Sequence, residues 1–237
     1  MDIKLIYSTA DPVGITIHKL KYKELEPIDE DVVDFRYEKG NAIVMLCRHE
    51  SKNKVPAITL HFPGNPTSSI LGGEPKKLGI AYPSLLSSIY RELLKVDFNI
   101  QIILEATHHG PTYQNVPILF VEIGSSYEYW TNESLVSKFV NAVIKGVNNL
   151  EEVECNSKIA GFGGPHYAQY FTKLARENCI GHIISKHYLK ELEDYVVFEV
   201  VNKSIENIDT VVFDNVNLEI RKRILRLLPE NIIIKSR

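Results

Sequence analysis

The chain has 237 residues, of which 44% are hydrophobic, and its formal net charge is -3 at neutral pH. This length and hydrophobic content allow one sizeable core and exclude a disordered chain. The slightly acidic balance excludes a globally basic surface, so a nucleic-acid partner would need local basic patches. The 3 cysteines lie far apart without a Cys-x-x-Cys pair, which predicts neither a disulfide framework nor a cysteine-type zinc knuckle.

The N-terminal stretch turns polar after a short apolar run, too short for a signal peptide, and no segment approaches the length of a membrane span. We therefore expect a soluble cytoplasmic protein in a reducing compartment. We expect no membrane association and no obligatory protein partner.

Short β-rich runs alternate with amphipathic stretches, which is typical of a layered α/β fold. We predict a single domain over residues 1–237, with a mixed, largely parallel sheet flanked by helices. Strands are predicted at 2–7, 42–48, 56–62, 100–107, 116–123, 157–161, 180–185, 209–213 and 231–235. Segments 24–31 and 63–76 are predicted loops, because Pro, Gly, Ser and charged residues replace periodicity there.

Helical spacing of apolar residues predicts three further elements. The first helix covers 133–148, and a second begins near Pro165, since proline favours the first turn of a helix. The third lies near the C-terminus, where Ile220 and Ile224 belong to an apolar stripe on an otherwise basic helix.

The strand that ends in EATHHGP carries three side chains able to do acid–base or metal chemistry. Glu105 and His109 would face one way in an extended strand, and His108 the other. The Gly-Pro pair predicts a turn that brings both imidazoles to the end of the sheet, where open α/β sheets bind ligands. Imidazole exchanges protons near neutral pH and ligates zinc, with a carboxylate as co-ligand or orienting group. The alternative is one core histidine and one surface histidine.

The next strand, in FVEIGSSYEYW, places Glu122 within an otherwise apolar run. A buried carboxylate is costly unless it is paired or bound to a metal, so Glu122 is a candidate ligand. Ser125 and Ser126 follow, but they do not fit a nucleophile elbow and are expected to cap a turn or donate hydrogen bonds.

The stretch AGFGGPHY contains Gly161, Gly163 and Gly164 before His166. It lacks the spacing of a dinucleotide fingerprint. Backbone amides at a helix N-terminus bind phosphate or an oxyanion, and a histidine in the first turn would act as ligand or acid–base group. The alternative is a loop that contains a histidine by chance.

In AITLHFPGNP, His61 ends a strand and Asn65 follows a Pro-Gly turn. His61 suits a metal ligand and a strand-end core histidine equally well. No pair of histidines has the i, i+4 spacing of a helical zinc motif, so spacing alone leaves zinc open. Structural roles are expected for the remaining histidines His18, His49, His182 and His187.

Taken in order, HFPGN, EATHHGP, FVEIGSSYEYW and GFGGPHY resemble the archaeal and plant type of D-aminoacyl-tRNA deacylase, over about the whole chain. The resemblance implies a zinc-dependent esterase that frees D-amino acids from mischarged tRNA. It also implies an α/β fold related to nucleoside phosphorylases and peptidyl-tRNA hydrolases. The positions that it implicates are Glu105, His108, His109, Glu122 and His166.

We expect a zinc-bound or histidine-activated water to attack the ester carbonyl of a D-aminoacyl-tRNA such as D-tyrosyl-tRNA. The catalytic candidates are Glu105, His108, His109 and His166. The candidate zinc ligands are His61, His109, Glu122 and His166. The substrate-binding candidates are Asn65, Gly161, Gly163 and Gly164, with the amides of 161–166 receiving the oxyanion.

The body of the tRNA would need phosphate contacts. The candidates are Lys76, Lys77, Arg221, Lys222, Arg223 and Arg226, and the alternative for the basic helix is a solvated face.

Other functions remain open. A nucleoside phosphorylase or another metallo-hydrolase would use the same fold, and a non-catalytic tRNA-binding module would use the histidines structurally.

Overall fold

A computed structural model describes residues 1–51 and 54–237. The strands are β1 (Ile3–Ser8), β2 (Leu25–Ile28), β3 (Ala42–Arg48), β4 (Ala57–His61), β5 (Gly64–Asn65), β6 (Lys77–Leu78), β7 (Gln101–Leu104), β8 (Ile118–Gly124), β9 (Lys158–Gly163), β10 (Cys179–Ile184), β11 (Thr210–Asp214) and β12 (Ile233–Ser236). The helices are α1 (Pro12–Leu20), α2 (Pro83–Leu93), α3 (Tyr127–Trp130), α4 (Glu133–Asn148), α5 (Gln169–Leu174), α6 (Asp194–Asn202) and α7 (Leu218–Leu225), with a 3-10 turn at Leu150–Glu152.

Two main sheets organise the fold, in place of the one sheet that the sequence predicts. The larger has the order β2-β1-β3-β8-β4-β7, and the smaller has the order β10-β9-β11-β12. Within these two sheets, neighbouring strands are parallel except β4 and β8, which are antiparallel; β5 and β6 form a separate antiparallel pair. A mixed, largely parallel α/β fold is therefore confirmed, while the single domain over 1–237 stays a prediction.

The antiparallel pair decides where a site can form. Because β4 and β7 run against β3 and β8, their carboxyl ends lie at the opposite edge of the sheet. The carboxyl ends of β4 and β7 lie side by side, because these two strands are parallel neighbours, while residues of β3 and β8 meet them over a face of the sheet. The predicted position holds for His61, Glu105, His108 and His109, which lie at or just after the carboxyl ends of β4 and β7, whereas Glu122 lies within β8.

The two faces of the larger sheet pack differently. On one face, Val44 and Val121 belong to a core shared with apolar residues of α1, α2 and α4, such as Ile89. On the other face, Met45 and Phe120 pack with Phe35, which lies between β2 and β3. This second face carries the polar cluster described below.

Every predicted strand has a counterpart, but two predicted loops contain strands. β2 lies within 24–31 and β5 within 63–76. β2 is a short edge strand in which Leu25 and Ile28 are the buried residues, and β5 has two residues. Neither is long enough to show the alternation of apolar and polar residues that predicts a strand.

The predicted helix over 133–148 is confirmed as α4, and the basic helix is confirmed as α7. The second predicted helix begins at Gln169, later than expected from Pro165. The backbone before it pairs with the segment after β7 instead: Ala106 donates to the His166 carbonyl at 2.8 Å, and Ala168 donates to the Leu104 carbonyl at 2.8 Å. His166 is therefore not in the first turn of a helix, and this part of the prediction is wrong.

Cys155 and Cys179 pair as a disulfide, with Cα atoms 5.5 Å apart, and Cys47 is free and buried. The sequence predicts no disulfide because these cysteines are 24 positions apart. They meet because β9 and β10 are parallel neighbours that start at the same edge. None of the helices in the described part of the chain has the length and hydrophobicity that a membrane span requires.

Candidate active site

The candidate site begins with polar side chains on adjacent strands of the larger sheet. Thr59 of β4 lies opposite Glu122 of β8, and His61 lies opposite Phe120. Residues directly opposite each other on antiparallel strands share a face. The strands alone therefore place the His61 imidazole and the Glu122 carboxylate over one face of the sheet.

The segment after β7 brings further groups to this face while it crosses between the two sheets. The Glu105 amide donates to the Leu60 carbonyl at 3.0 Å, and the Thr107 amide donates to Ile183 of β10 at 2.8 Å. His109 then turns with a φ of 44°, and the rings of His108 and His109 lie with centroids 4.5 Å apart. The predicted turn that joins the two imidazoles is confirmed.

The four side chains of the predicted zinc set reach one buried cluster, in contact with Glu105. His61 Nε2 and His109 Nε2 are 3.2 Å apart. Glu122 Oε1 lies 3.7 Å from His109 Nε2, while His166 Nε2 lies 3.1 Å from Glu105 Oε1. The structure thus brings His61, His109, Glu122, Glu105 and His166 together.

His49 also belongs to this cluster, although the sequence gives it a structural role. Its Nδ1 lies 3.3 Å from Glu122 Oε2, and its Nε2 lies 3.1 Å from the Tyr167 hydroxyl. It follows β3, which runs parallel to β8. The polar end of the 42–48 strand is a usable signal, but only once β3 and β8 are known to be neighbours.

Both buried carboxylates are held ionised by the imidazoles around them. Burial alone would raise the pKa of Glu122, but the imidazoles of His109, 3.7 Å away, and of His49, 3.3 Å away, hold this pKa well below its ordinary value. Burial likewise opposes ionisation of Glu105, but the imidazoles of His166, 3.1 Å away, and of His61, 3.5 Å away, overcome it and lower the pKa of Glu105.

The imidazoles of the cluster differ in the direction in which their pKa values are shifted. Burial holds the pKa of His108 well below its ordinary value, and burial also lowers the pKa of His61. For His49, burial lowers the pKa, but the hydrogen bond to Glu122 and the charge of Glu105 outweigh it, so the pKa is raised. The cluster therefore contains neutral imidazoles suited to metal binding beside a histidine that favours the proton.

Backbone carbonyls fix the ring orientation of the two adjacent histidines. The Nδ1–H of His108 donates to the Ala106 carbonyl at 2.9 Å, and that of His109 donates to the Gly110 carbonyl at 2.7 Å. With Nδ1 used in this way, the Nε2 atom of each ring faces the cluster. Orientation of a ligand histidine by a second hydrogen bond is a common feature of metal sites.

The donor set fits a zinc ion. His61, His108 and His109 offer nitrogen atoms within 4.8 Å of one another, and so do the ligand atoms of two adjoining groups that include the carboxylates. In the described part of the chain, buried His61 Nδ1 and Glu105 Oε2 have no hydrogen-bond partner. Buried polar atoms normally have one, and histidine nitrogen with carboxylate oxygen is a typical zinc donor set.

The predicted substrate-binding residues do not join the cluster. The Asn65 side-chain amide donates to the Gly72 carbonyl at 2.7 Å and the Glu74 carbonyl at 3.1 Å, so it fixes a loop. Gly161 and Gly163 lie in β9, which pairs on both sides, and the Gly164 amide donates to the Asp214 carbonyl at 2.9 Å. The predicted oxyanion pocket is wrong here because the sheet and Asp214 use the amides.

Two adjoining cavities open onto the cluster. One, of about 270 Å³, is lined by Glu105, His108, His109, Glu122 and His166, with an apolar side and a charged side. The other, of about 450 Å³, contains Tyr167 and Gln169 in its lining and shares His166 and Glu50 with the first. His166 thus stands between two spaces, which suits a reaction that separates two parts of a substrate.

The chain matches a known protein family over most of its length. A family model described as D-aminoacyl-tRNA deacylase matches residues 36–233. The chain belongs to the D-aminoacyl-tRNA deacylase family. The resemblance based on the four motifs is thereby confirmed. All the clustered histidines and carboxylates lie within the part of the chain that the family model matches.

Relatives in this family match over nearly the whole chain. A D-aminoacyl-tRNA deacylase of Saccharolobus islandicus is 58% identical over 228 residues, 96% of this chain and 96% of its own. That of Saccharolobus solfataricus is 55% identical and covers 100% of both chains. A crystal structure of a conserved protein of unknown function has a TM-score of 0.86 at 21% identity, over 99% of this chain and 95% of its own. This likeness shows the fold.

Proposed function

We propose that this chain hydrolyses the ester bond of D-aminoacyl-tRNA and releases a free D-amino acid and tRNA. Family membership supports the substrate class. The observation that carries the chemistry is the convergence of His61, His108 and His109 beside two buried, ionised carboxylates. A binding module has no need for such a costly buried arrangement.

We propose zinc as the cofactor, held first by the nitrogens of His61, His108 and His109. Glu105 and Glu122 adjoin this set, and their carboxylates offer oxygen ligands or orient the imidazoles. When bound, zinc lowers the pKa of a water ligand and polarises a carbonyl group. This proposed set shares His61, His109 and Glu122 with the set predicted from the sequence, adds His108 and Glu105, and leaves His166 to proton transfer.

The chain's own residues supply positioning and proton transfer. Glu122 lies within reach of both His109 and His49, so it fixes these rings relative to each other. Glu105 fixes His166, whose Nε2 is 3.1 Å away. Because His166 lines both cavities, it is placed to hold a proton for the ribose oxygen as that oxygen leaves.

The test is hydrolysis of D-tyrosyl-tRNA and L-tyrosyl-tRNA by the purified protein under identical conditions. We expect release of D-tyrosine and little release of L-tyrosine. Equal release of both would contradict chiral selection. Binding of tRNA without turnover, or phosphate-dependent cleavage of free nucleosides, would contradict the proposed activity.

A further inference from the structure

We propose that Val32, Val33 and Leu71 form the subsite for the amino-acid side chain of the substrate. The subsite accepts apolar and aromatic side chains. This inference deepens the proposed function and rests on it. It would make these residues determinants of specificity, since none of them carries a group that takes part in the chemistry.

The three residues form the apolar side of the cavity that contains the hydrolytic cluster. Near the ester, the ammonium group, the carbonyl group and the ribose are all polar. An apolar amino-acid side chain is the one part of the acyl group that gains by leaving water against a hydrocarbon surface, by about 25 cal/mol for each Å² buried. The apolar side of the cavity therefore matches that side chain.

Leu71 is unusually well placed for an exposed leucine. Its side chain is 61% exposed, yet its backbone is fixed. The Leu71 carbonyl accepts from the Gly110 amide at 2.8 Å, immediately after His109 in the chain. Asn65 holds the next turn of the same loop through the Gly72 carbonyl at 2.7 Å. Leu71 is thus exposed on a backbone whose position relative to His109 is defined by one hydrogen bond.

Close backbone contacts join the two parts of this apolar surface. A Cβ on Gly72 would lie 2.0 Å from the Val33 carbonyl oxygen, and one on Gly110 would lie 2.7 Å from the same oxygen. The segments that carry Val33, Leu71 and His109 therefore pack against each other at Gly72 and Gly110. A side chain at either glycine would push these segments apart. The surface is formed before a substrate arrives, as is common in small-molecule sites.

The remaining side of the cavity is charged and equally fixed. Arg48 lines it and donates through Nη1 to buried Asp11 at 2.9 Å and through Nε to Glu50 at 3.1 Å. The cavity thus presents three different surfaces: hydrolytic, apolar and charged. A stereocentre is distinguished when three of its substituents must each meet a different surface, so the apolar surface also contributes to rejection of the L ester.

The experiment compares kcat/KM for D-tyrosyl-tRNA and D-alanyl-tRNA in Leu71→Ala, Leu71→Met and the matched control Ile70→Ala. Ile70 is the neighbouring residue, 56% exposed, and does not line the cavity. For Leu71→Ala we expect a loss of about 10- to 100-fold with D-tyrosyl-tRNA and less than about threefold with D-alanyl-tRNA, because only the larger side chain loses apolar contact. Leu71→Met and Ile70→Ala should stay within about threefold of wild type with both.

The outcomes separate this inference from the function on which it rests. If wild type cleaves D-tyrosyl-tRNA but Leu71→Ala affects both esters equally, or neither, the side-chain subsite is wrong and the activity stands. The same conclusion follows if Ile70→Ala reproduces the effect of Leu71→Ala. If wild type cleaves no D ester, both proposals fall. Melting temperatures within a few degrees of wild type show that each variant is folded.

Discussion

At the scale of single residues, the site is a set of groups whose charge states depend on one another. The pKa of Glu122 is lowered by the imidazoles of His109 and His49 beside it, and that of Glu105 by the imidazoles of His166 and His61. Removing one member leaves a buried charge without its partner, which costs far more than the loss of an exposed ion pair. Single substitutions in the cluster should therefore act strongly.

His109 is the residue on which the account depends most, because its Nε2 contacts both His61 and Glu122. We expect His109→Ala to lower kcat for D-tyrosyl-tRNA by at least about 10²-fold, the effect of losing a ligand or acid–base group. The control is His18→Ala, because the His18 side chain bonds to the Tyr7 hydroxyl at 3.0 Å and lies outside the cluster. Wild-type activity in His109→Ala would remove this residue from the mechanism.

A member of the cluster could be predicted from the sequence only where its side chain differs clearly in polarity or position from the rest of its own strand. Glu122 is conspicuous in an apolar run, and His108 with His109 precede a Gly-Pro turn. His49 has no such signal, since it becomes part of the site only through the pairing of β3 with β8. Asn65 resembles a site residue in sequence, but its amide is used by the loop from 71 to 74.

At the scale of elements, the segment after β7 links the two sheets, and His182 of β10 fixes that link. Its Nδ1 accepts from the Thr107 hydroxyl at 2.9 Å, and its Nε2–H donates to the Gly79 carbonyl at 3.1 Å. Acceptance by Nδ1 requires a neutral ring, and burial lowers the pKa of His182 to about 4. Protonation would disrupt the junction that carries His108.

The stability of the protein should therefore depend on pH, and His182→Gln should make this dependence weaker. The folded protein binds the proton on His182 less tightly than the unfolded chain, so the contribution of this group is complete above pH 6.5 and is lost as pH falls toward 4. The free energy of unfolding should fall by about 3 kcal/mol more in wild type than in His182→Gln across this range. Urea unfolding at several pH values measures it, and parallel curves would contradict the prediction.

The existence of the elements follows from local patterns, whereas their arrangement does not. The apolar spacing of α4 sets both its ends correctly, and the strand that carries Glu122 is evident. The direction of β4 relative to β8 has no local signal, because alternation is the same in parallel and antiparallel strands. That direction brings Glu122 of β8 over the same face as His61 of β4, so the meeting of these two residues could not be predicted.

At the scale of the whole molecule, the net charge of -3 requires tRNA to be bound by local basic groups. Several candidates are already paired: Lys76 with Glu193 at 2.8 Å, Lys77 with Glu74 at 2.7 Å, and Arg223 with Asp194 at 3.4 Å. Within residues 1–51 and 54–237, Lys222 and Arg226 form no ion pair. We propose these two at the end of α7 as phosphate contacts.

Neutralising them should weaken tRNA binding in a salt-dependent way. For the double variant Lys222→Gln and Arg226→Gln, the slope of log K against log[salt] should become shallower by about 1 for each lost phosphate contact. The control, Lys4→Gln with Lys39→Gln, removes the same charge beside Glu26 of β2 and should keep the wild-type slope. An unchanged slope in the α7 variant would mean that the basic side of this helix faces solvent and does not contact tRNA phosphates.

The most direct test of the central claim measures deacylation of D-tyrosyl-tRNA and L-tyrosyl-tRNA by the protein as purified, after chelation, and after return of zinc. We expect cleavage of the D ester, loss of this activity on chelation and recovery with zinc, with the L ester largely intact throughout. Cleavage of the D ester that survives complete removal of metal would contradict the zinc site. The absence of cleavage in every state would contradict the proposed function itself.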